Sequence, residues 1–308
     1  MLSLPFRLRR GLFGANRDEE NNSDDGSSSS SQPEQSTEKE VAKDFFPSLW
    51  DVLKVRYLLQ WKIRKGLPPE LVDAVIDAAE YWPSTVHEME GKRRVMCDRD
   101  QVLLKTVPLC YDRKVCLAPL WFSSAVWRLT SRDQNPNHSP HRTVHPCRKI
   151  VFHLSSHDQG GGRAREDMYH GSWTWFDTEV IREAHTKKMY VDGTEQEILE
   201  DELGYVKKHF EPSDQLLSPR SKQVQMNGAR VSEMQDRVIT WHYLDDVAAN
   251  STEAYHIERT EGRGRLMLDG HVVRELQVGD SIALWGRARF TGWANYVDRA
   301  SVRIFWAV

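Results

Sequence analysis

A tryptophan and two arginines occupy every second position near the end of the chain, at Trp285, Arg287 and Arg289. Every second residue of a β-strand points to the same face of its sheet, so in a strand these three side chains share one face. Planar guanidinium groups beside an indole are suited to bind a carboxylate, a sugar ring or an acidic peptide. Alternatively, both arginines pair with acids on neighbouring strands, and their hydrocarbon stems cover the indole.

Further aromatic and polar residues accompany this segment. Trp293 and Asn295 follow it directly, and Trp173 and Trp175 are two positions apart, so that they share a face in a strand. Exposed indoles beside charged donors provide affinity by flat stacking without catalysis, although tryptophan is highly buried on average. The predicted ligand-binding residues are Trp285, Arg287, Arg289, Trp293, Asn295, Trp173, Trp175 and Asp158, the last in the loop 158–162.

The chain carries no motif typical of catalysis or cofactor binding. It has neither a glycine-rich phosphate loop nor a His-Glu-x-x-His or nucleophile-elbow motif. Cysteines and histidines cluster between residues 110 and 147, but their spacing fits no common zinc module. The members of this cluster are Cys110, Cys116, His138, His141, His145 and Cys147. We expect no catalytic residue, no metal and no cofactor, with a metal-dependent jelly-roll enzyme as an alternative.

The composition is that of a globular protein with a substantial core. Of the 308 residues, 39% are hydrophobic and 11 are tryptophan. Four cysteines are too few for a disulfide scaffold, and no stretch approaches the roughly 20 apolar residues that span a bilayer. The net charge of −3 gives no reason to expect nucleic acid or an anionic membrane as partner. We expect a cytoplasmic or nuclear protein.

The first 44 residues differ from the rest of the chain. Residues 1–16 contain three arginines among apolar residues and no acid, which resembles a mitochondrial presequence and leaves mitochondria as an alternative location. Residues 17–40 are rich in acids and contain no large hydrophobic residue, so they bury too little apolar surface to offset the entropy of ordering. The sequence predicts a disordered tail over 1–44. Without this tail the remaining chain is electrically neutral.

Residues 45–94 are predicted to form a helical hairpin. Apolar residues recur with helical spacing over 50–63 and 69–82, and glycine and proline separate the two runs. Residues 67–72, Leu-Pro-Pro-Glu-Leu-Val, resemble the opening of an F-box, a helical module that docks on a ubiquitin-ligase adaptor. The resemblance implies a substrate adaptor of a ubiquitin ligase as one alternative function. An ordinary amphipathic helix that begins with proline explains the same residues.

From residue 95 the pattern changes to a period of two, which indicates strands. Alternating segments recur at 149–154, 172–176, 237–243, 281–290 and 301–308. Asp269-Gly270 between two further apolar segments is a strong hairpin signal. The sequence therefore predicts a mainly β protein: an antiparallel β-sandwich of the jelly-roll or galactose-binding-like type over 95–308. An insertion at about 182–221, with a helix-forming middle at 195–210, interrupts it.

Parts of the predicted sandwich resemble an uncharacterised family of fungal proteins. They include Ser-Ser-His-Asp-Gln-Gly at 155–160, Gly-Ser-Trp-Thr-Trp-Phe-Asp at 171–177 and Trp-Gly-Arg-Ala-Arg-Phe at 285–290. The family has Trp where this chain has Gly161, and Pro where it has Thr291. The resemblance implies no activity, and its strand pattern is similar to jelly-roll modules that bind sugars or proteins through loops. We expect a non-enzymatic protein that binds a protein or a carbohydrate.

Overall fold

The computed structural model describes residues 45–97, 99–111, 139–161, 168–184, 188–191, 194–197, 205–207 and 223–308. For 188–191, 194–197 and 205–207 only the backbone is described. The predicted tail, most of the predicted insertion, and the candidate ligands Cys116 and His138 lie outside these residues. Residues 45–308 form one compact unit. No helix in the described part is long and apolar enough to cross a membrane.

The predicted helical hairpin is present at the start of this unit. Helix α1 (Leu49–Tyr57) begins at a capping box: the Ser48 hydroxyl accepts a hydrogen bond from the Asp51 amide, and the Asp51 carboxylate accepts one from the Ser48 amide. A π-helical turn (Leu58–Lys62) continues α1. Helix α2 (Pro69–Ala78) begins with a proline, whose missing N–H would have no intrahelical partner at that position.

Twelve strands are described, and every pair among them is antiparallel. They are β1 (Ser84–Glu88), β2 (Arg93–Met96), β3 (Arg99–Lys105), β4 (Cys147–His157), β5 (Thr174–Ile181), β6 (Lys188–Val191), β7 (Thr194–Glu197), β8 (Tyr205–Lys207), β9 (Gln223–Met226), β10 (Gln235–His242), β11 (Ser281–Ala288) and β12 (Ala294–Trp306). The strands thus begin at Ser84, before the boundary at residue 95 that the change of period indicated.

Ten of these strands form two five-stranded sheets. Sheet A has the order β1-β12-β4-β10, and β2 also pairs with β12; sheet B has the order β8-β3-β11-β5-β9. Strands β6 and β7 pair with each other. Strand β8 comes from the predicted insertion and pairs with β3, so part of this segment extends sheet B. Two antiparallel sheets around a common core confirm the predicted β-sandwich.

One hydrophobic core joins the two sheets and the helices. Sheet A contributes Ile150, Phe152, Leu154, Ile239, Trp241, Val302 and Ile304, and sheet B contributes Leu103, Leu104, Phe176, Val224, Ile282 and Leu284. Val52 of α1, Val72 and Ile76 of α2, and Trp82 belong to the same core. Because the helices share this core, the hairpin is packed into the same unit as the sandwich.

Helix α3 (Thr252–Glu261) has no counterpart in the sequence prediction. Its start is capped by Ser251, whose hydroxyl accepts a hydrogen bond from the Ala254 amide at 3.1 Å. Most of its side chains are polar, so it offers little apolar periodicity to detect. Conversely, the helix predicted over 195–210 is wrong where this segment is described, because 194–197 and 205–207 are strands.

The hairpin predicted around Asp269-Gly270 is also wrong. A 3-10 turn and the short helix α4 (His271–Glu275) take its place. The Asp269 carboxylate accepts a hydrogen bond from the His271 amide at 3.1 Å, which satisfies the first backbone amide of the helix. Val273 and Leu276 are both fully buried. Their spacing of three positions suits a helical turn, whereas a strand would point them to opposite faces.

Candidate functional site

One end of the sandwich brings together several residues that the sequence singled out. Strands β4, β9 and β11 end here, and β5, β10 and β12 begin here. The surrounding loop segments are 158–161, 168–173, 227–234 and 289–293. Because Asn227 links the two sheets at this point, we call this region the Asn227 end.

The base of the Asn227 end is a buried polar network. The Asn227 side-chain oxygen accepts a hydrogen bond from the Ser156 hydroxyl at 2.7 Å. Its amide nitrogen donates to the Thr174 hydroxyl at 3.1 Å and to the Asn295 side-chain oxygen at 2.9 Å. All four side chains are fully buried, and they come from both sheets. Buried polar groups that are fully hydrogen-bonded fix one arrangement of a core, so this network makes the end of the sandwich rigid.

Asn295 extends this network to the strand ends of sheet B. Its side-chain nitrogen donates to the Trp175 carbonyl oxygen at 3.2 Å and lies 3.5 Å from the Arg287 carbonyl oxygen. The sequence predicted Asn295 as a ligand-binding residue, but its side chain is buried and holds the backbones of β5 and β11. Its function in the structure is therefore to position the residues around it.

Asp158, another predicted ligand-binding residue, organises two loops of the Asn227 end. One carboxylate oxygen accepts a hydrogen bond from the Gly160 amide at 2.7 Å, and the other accepts one from the Arg230 amide. Burial raises the pKa of the Asp158 carboxyl above its usual value, although both amides act in the opposite direction. Asp158 is fully buried. It therefore ties the loop after β4 to the loop after β9.

Three partly exposed aromatic residues form the outer side of this end, and we call them the aromatic rim: Trp173, Phe290 and Trp293. The rings of Trp173 and Phe290 meet edge to face, with centroids 4.6 Å apart. The Trp293 amide donates to the Phe290 carbonyl at 3.2 Å. Phe290 has φ +67°, in the left-handed region that a non-glycine residue seldom adopts. Such strained backbone is concentrated at functional sites.

A second aromatic pair lies beside the Asp158 loop and was not predicted from the sequence. His157 of β4 and Tyr296 of β12 stack face to face, with ring centroids 4.9 Å apart and planes within 4°. The Arg94 guanidinium lies 5.2 Å from the Tyr296 ring. Gln159 accepts a hydrogen bond from the Ala294 amide at 3.1 Å. These contacts add aromatic and cationic groups to the same end of the sandwich.

The two predicted arginines pair with acids on neighbouring strands, which is the alternative that the sequence left open. Arg287 donates from Nε to Asp177 at 2.6 Å and from Nη1 to Asp100. Arg289 also donates to Asp100, through Nη1 and through Nη2, the latter at 2.7 Å. Burial alone would lower the pKa of Arg287, but the charges of Asp177 and Asp100 outweigh it and raise that pKa.

The tryptophans beside these arginines are buried. Trp285 lies 4.9 Å from the Arg287 guanidinium, and Trp175 lies 5.1 Å from that of Arg289. The expectation that an exposed indole accompanies the guanidinium groups on this face is therefore wrong, because Trp285, Trp175 and Arg289 are all buried. Among the predicted residues, Trp173 and Trp293 are the two partly exposed indoles.

Two of the described cysteines, Cys110 and Cys147, are buried. Burial raises the pKa of Cys147 to about 12 and raises that of Cys110 well above its usual value. Both thiols are therefore protonated at neutral pH, whereas a cysteine nucleophile is a thiolate. His141 contacts the Ser139 carbonyl oxygen at 2.9 Å through Nδ1. Within the described residues, no group of three histidines, cysteines or acids is arranged to hold a metal ion.

Comparisons of the chain with models of protein families, with curated proteins and with solved structures find no match.

Proposed function

We propose that this protein is a non-enzymatic binding protein, and that its sandwich binds a protein or carbohydrate ligand at the Asn227 end. The observation that carries the proposal is the aromatic rim. Trp173, Phe290 and Trp293 are partly exposed, whereas the other phenylalanine and tryptophan side chains described in the sandwich are all buried. Partly exposed indoles present a flat apolar surface with a polar N–H, which suits a sugar ring or the side chains of a protein loop.

Rigidity of the rim supports this proposal. The Asn227 network and Asp158 fix the surrounding loops from below, and the Arg289 amide donates to the Trp173 carbonyl at 2.9 Å. The two loops that carry the indoles are thereby joined through their backbones. A binding surface held in place before the ligand arrives loses less conformational entropy on binding, which increases affinity.

The experiment uses two variants of the full chain, Trp293→Ala and Trp173→Ala. Wild-type protein and both variants are applied to a glycan array and to cell extract, with bound molecules identified by mass spectrometry. Tyr255→Ala is the matched control, because Tyr255 is an exposed aromatic residue on α3. Circular dichroism checks the fold of each protein. Folded rim variants that keep every ligand of the wild type would contradict the proposal.

A second candidate function, an F-box-type substrate adaptor of a ubiquitin ligase, is favoured by one specific observation. Leu71 and Val75 of the Leu-Pro-Pro-Glu-Leu helix are 53% and 46% exposed, while Val72 and Ile76 on its other face are buried in the core. The face of α2 that carries Leu71 and Val75 therefore does not pack against the sandwich. Co-purification of wild type and of a Leu71→Ser, Val75→Ser variant with a ubiquitin-ligase adaptor tests this candidate, which fails if the wild type does not bind.

A further inference from the structure

The helical hairpin exposes an unusual amount of apolar surface. Of the 18 large hydrophobic residues that are exposed in the described part of the chain, nine lie between residues 45 and 75. These nine are Phe45, Phe46, Trp50, Tyr57, Leu58, Trp61, Ile63, Leu71 and Val75. Large apolar patches on a soluble protein mark sites that contact another molecule or a membrane. The hairpin is therefore a second candidate interaction surface, separate from the Asn227 end.

The tip of the hairpin combines apolar and basic side chains, and we call residues 61–65 the hairpin tip. Trp61 and Ile63 are 64% and 44% exposed. Lys62 lies between them, Arg64 and Lys65 follow, and all three basic side chains are exposed. The Lys62 ammonium lies 5.6 Å from the Tyr57 ring. Trp and Tyr together with Lys and Arg are the residues that proteins place at the boundary between lipid headgroups and acyl chains.

The local charge of this segment is strongly positive. Residues 52–69 contain five basic residues and no acid. One of these bases, Arg56, is neutralised by Asp73, with the charged atoms 2.5 Å apart. Within the described part of the chain, Lys54, Lys62, Arg64 and Lys65 take part in no ion pair. These four exposed positive charges lie near exposed aromatic residues, so a molecule that binds this surface must offer both anionic and apolar groups.

The hairpin is held firmly on the sandwich behind its tip. Arg56 also donates to the Val308 carbonyl oxygen at 2.6 Å, and Arg142 forms ion pairs with Asp73 and Asp77 of α2. Val52 packs in the common core. The apolar and basic side chains of the hairpin tip therefore project from a fixed support, which limits the entropy lost when they contact a surface.

We propose that the hairpin tip docks on a membrane surface rich in anionic phospholipids, with Trp61 and Ile63 inserted among the headgroups and Lys62, Arg64 and Lys65 beside the phosphates. A lipid surface fits better than the groove of a partner protein, because the tip is a turn between two helices. A helix held in a groove presents anchors over several helical turns, whereas the tip places two exposed apolar and three exposed basic side chains in five consecutive residues. The net charge of −3 for the whole chain, on which the expectation of no membrane partner was based, does not describe this local charge.

Sedimentation of the full chain with vesicles tests the proposal. The vesicles consist of phosphatidylcholine with or without phosphatidylserine, at low and at physiological ionic strength. We expect binding only to the phosphatidylserine vesicles, weakened by salt. Near an anionic surface each base contributes about fivefold to the affinity, so Lys62→Gln, Arg64→Gln, Lys65→Gln together should weaken binding roughly a hundredfold. Trp61→Ser with Ile63→Ser should weaken it about tenfold or more.

Matched control variants separate the hairpin tip from a general charge effect. Lys92→Gln, Arg93→Gln and Arg299→Gln together remove the same net charge from exposed positions on the sandwich. Val238→Ser with Leu244→Ser removes two other exposed apolar side chains, which are 64% and 66% exposed. Both controls should bind like the wild type.

Three results would overturn the proposal. In the first, the wild type fails to bind phosphatidylserine vesicles. In the second, the tip variants bind as well as the wild type. In the third, the charge control loses as much affinity as the tip variant. Loss of a protein partner by the tip variants, without any lipid binding by the wild type, would identify the hairpin as a protein-docking surface instead. A failure here leaves the Asn227 end unaffected, because the two surfaces share no residue.

Discussion

Asp100 of β3 and Arg289, which directly follows β11, are both 1% exposed at their side chains and are joined by paired hydrogen bonds. Two parallel N–H to oxygen bonds in this geometry are stronger than a single neutral hydrogen bond. Arg289 also donates its backbone amide to the Trp173 carbonyl. The ion pair therefore fixes the strand end from which the aromatic rim begins.

Asp100→Ala should lower the free energy of unfolding by about 3–5 kcal/mol, because it leaves the Arg289 guanidinium buried without its main partner. Urea denaturation measures this change. Asp236→Ala is the control: the Asp236–Arg299 pair is 3.7 Å apart and largely exposed, so its loss should cost at most about 1 kcal/mol. Equal losses in the two variants would contradict the structural importance of the buried pair.

Trp306→Ala should lower the free energy of unfolding by about 3–5 kcal/mol and yield largely insoluble protein. Trp306 is buried in the common core, and its indole nitrogen donates to the Pro140 carbonyl oxygen at 3.2 Å. Soluble expression and thermal melting measure the effect, with Tyr255→Ala as an exposed aromatic control. A soluble variant with a cooperative melt near that of the wild type would show that the end of β12 is peripheral.

Stability should fall on acidification partly because of His87. Burial lowers the pKa of His87 below the ordinary 6.5, so the folded state disfavours the charged form. As the pH falls below about 6.5, the unfolded state binds more protons than the folded state, and the free energy of unfolding decreases until the lower folded pKa is passed. His87→Leu should flatten this dependence in urea titrations at several pH values. The exposed His153→Leu serves as control, and an unchanged slope in His87→Leu would contradict the assignment.

Cys110 and Cys147 should resist alkylation by iodoacetamide in the folded protein. Both are buried with raised pKa values, so little thiolate forms at mildly alkaline pH. Cys97 is partly exposed and should react first. Peptide mapping by mass spectrometry, before and after unfolding in urea, gives the modified positions. Rapid labelling of Cys147 in the native protein would show that this part of the core opens readily.

Local sequence patterns predicted which segments form strands better than they predicted which segments pack against each other. The alternation at 149–154 and 237–243 identified β4 and β10, because one face of each strand is buried in the core. Helix α4 was mistaken for half of a hairpin, because a short apolar segment after Asp-Gly fits either structure until its packing is known. The sequence thus predicted the β-sandwich but not each turn within it.

The candidate site depended on contacts that no local pattern contains. Arg289 and Asp100 are 189 positions apart, so the sequence could not show that this arginine was already paired. Asn227 is a single polar residue in a loop, and its function as the link between Ser156 and Asn295 follows only from the assembled sheets. What the sequence did indicate was the aromatic richness of two segments that the fold then brought together, around Trp173 and Trp293.

The affinity of the Trp293→Ala variant tests the central claim most directly. A ligand identified by the glycan array or by capture from extract is titrated calorimetrically into wild type, Trp293→Ala and Tyr255→Ala. Removing a partly exposed indole from the centre of a binding surface typically costs about 2 kcal/mol or more, so we expect the affinity of Trp293→Ala to fall about thirtyfold. Tyr255→Ala should bind like the wild type. A folded Trp293→Ala protein with the affinity of the wild type would contradict binding at the Asn227 end.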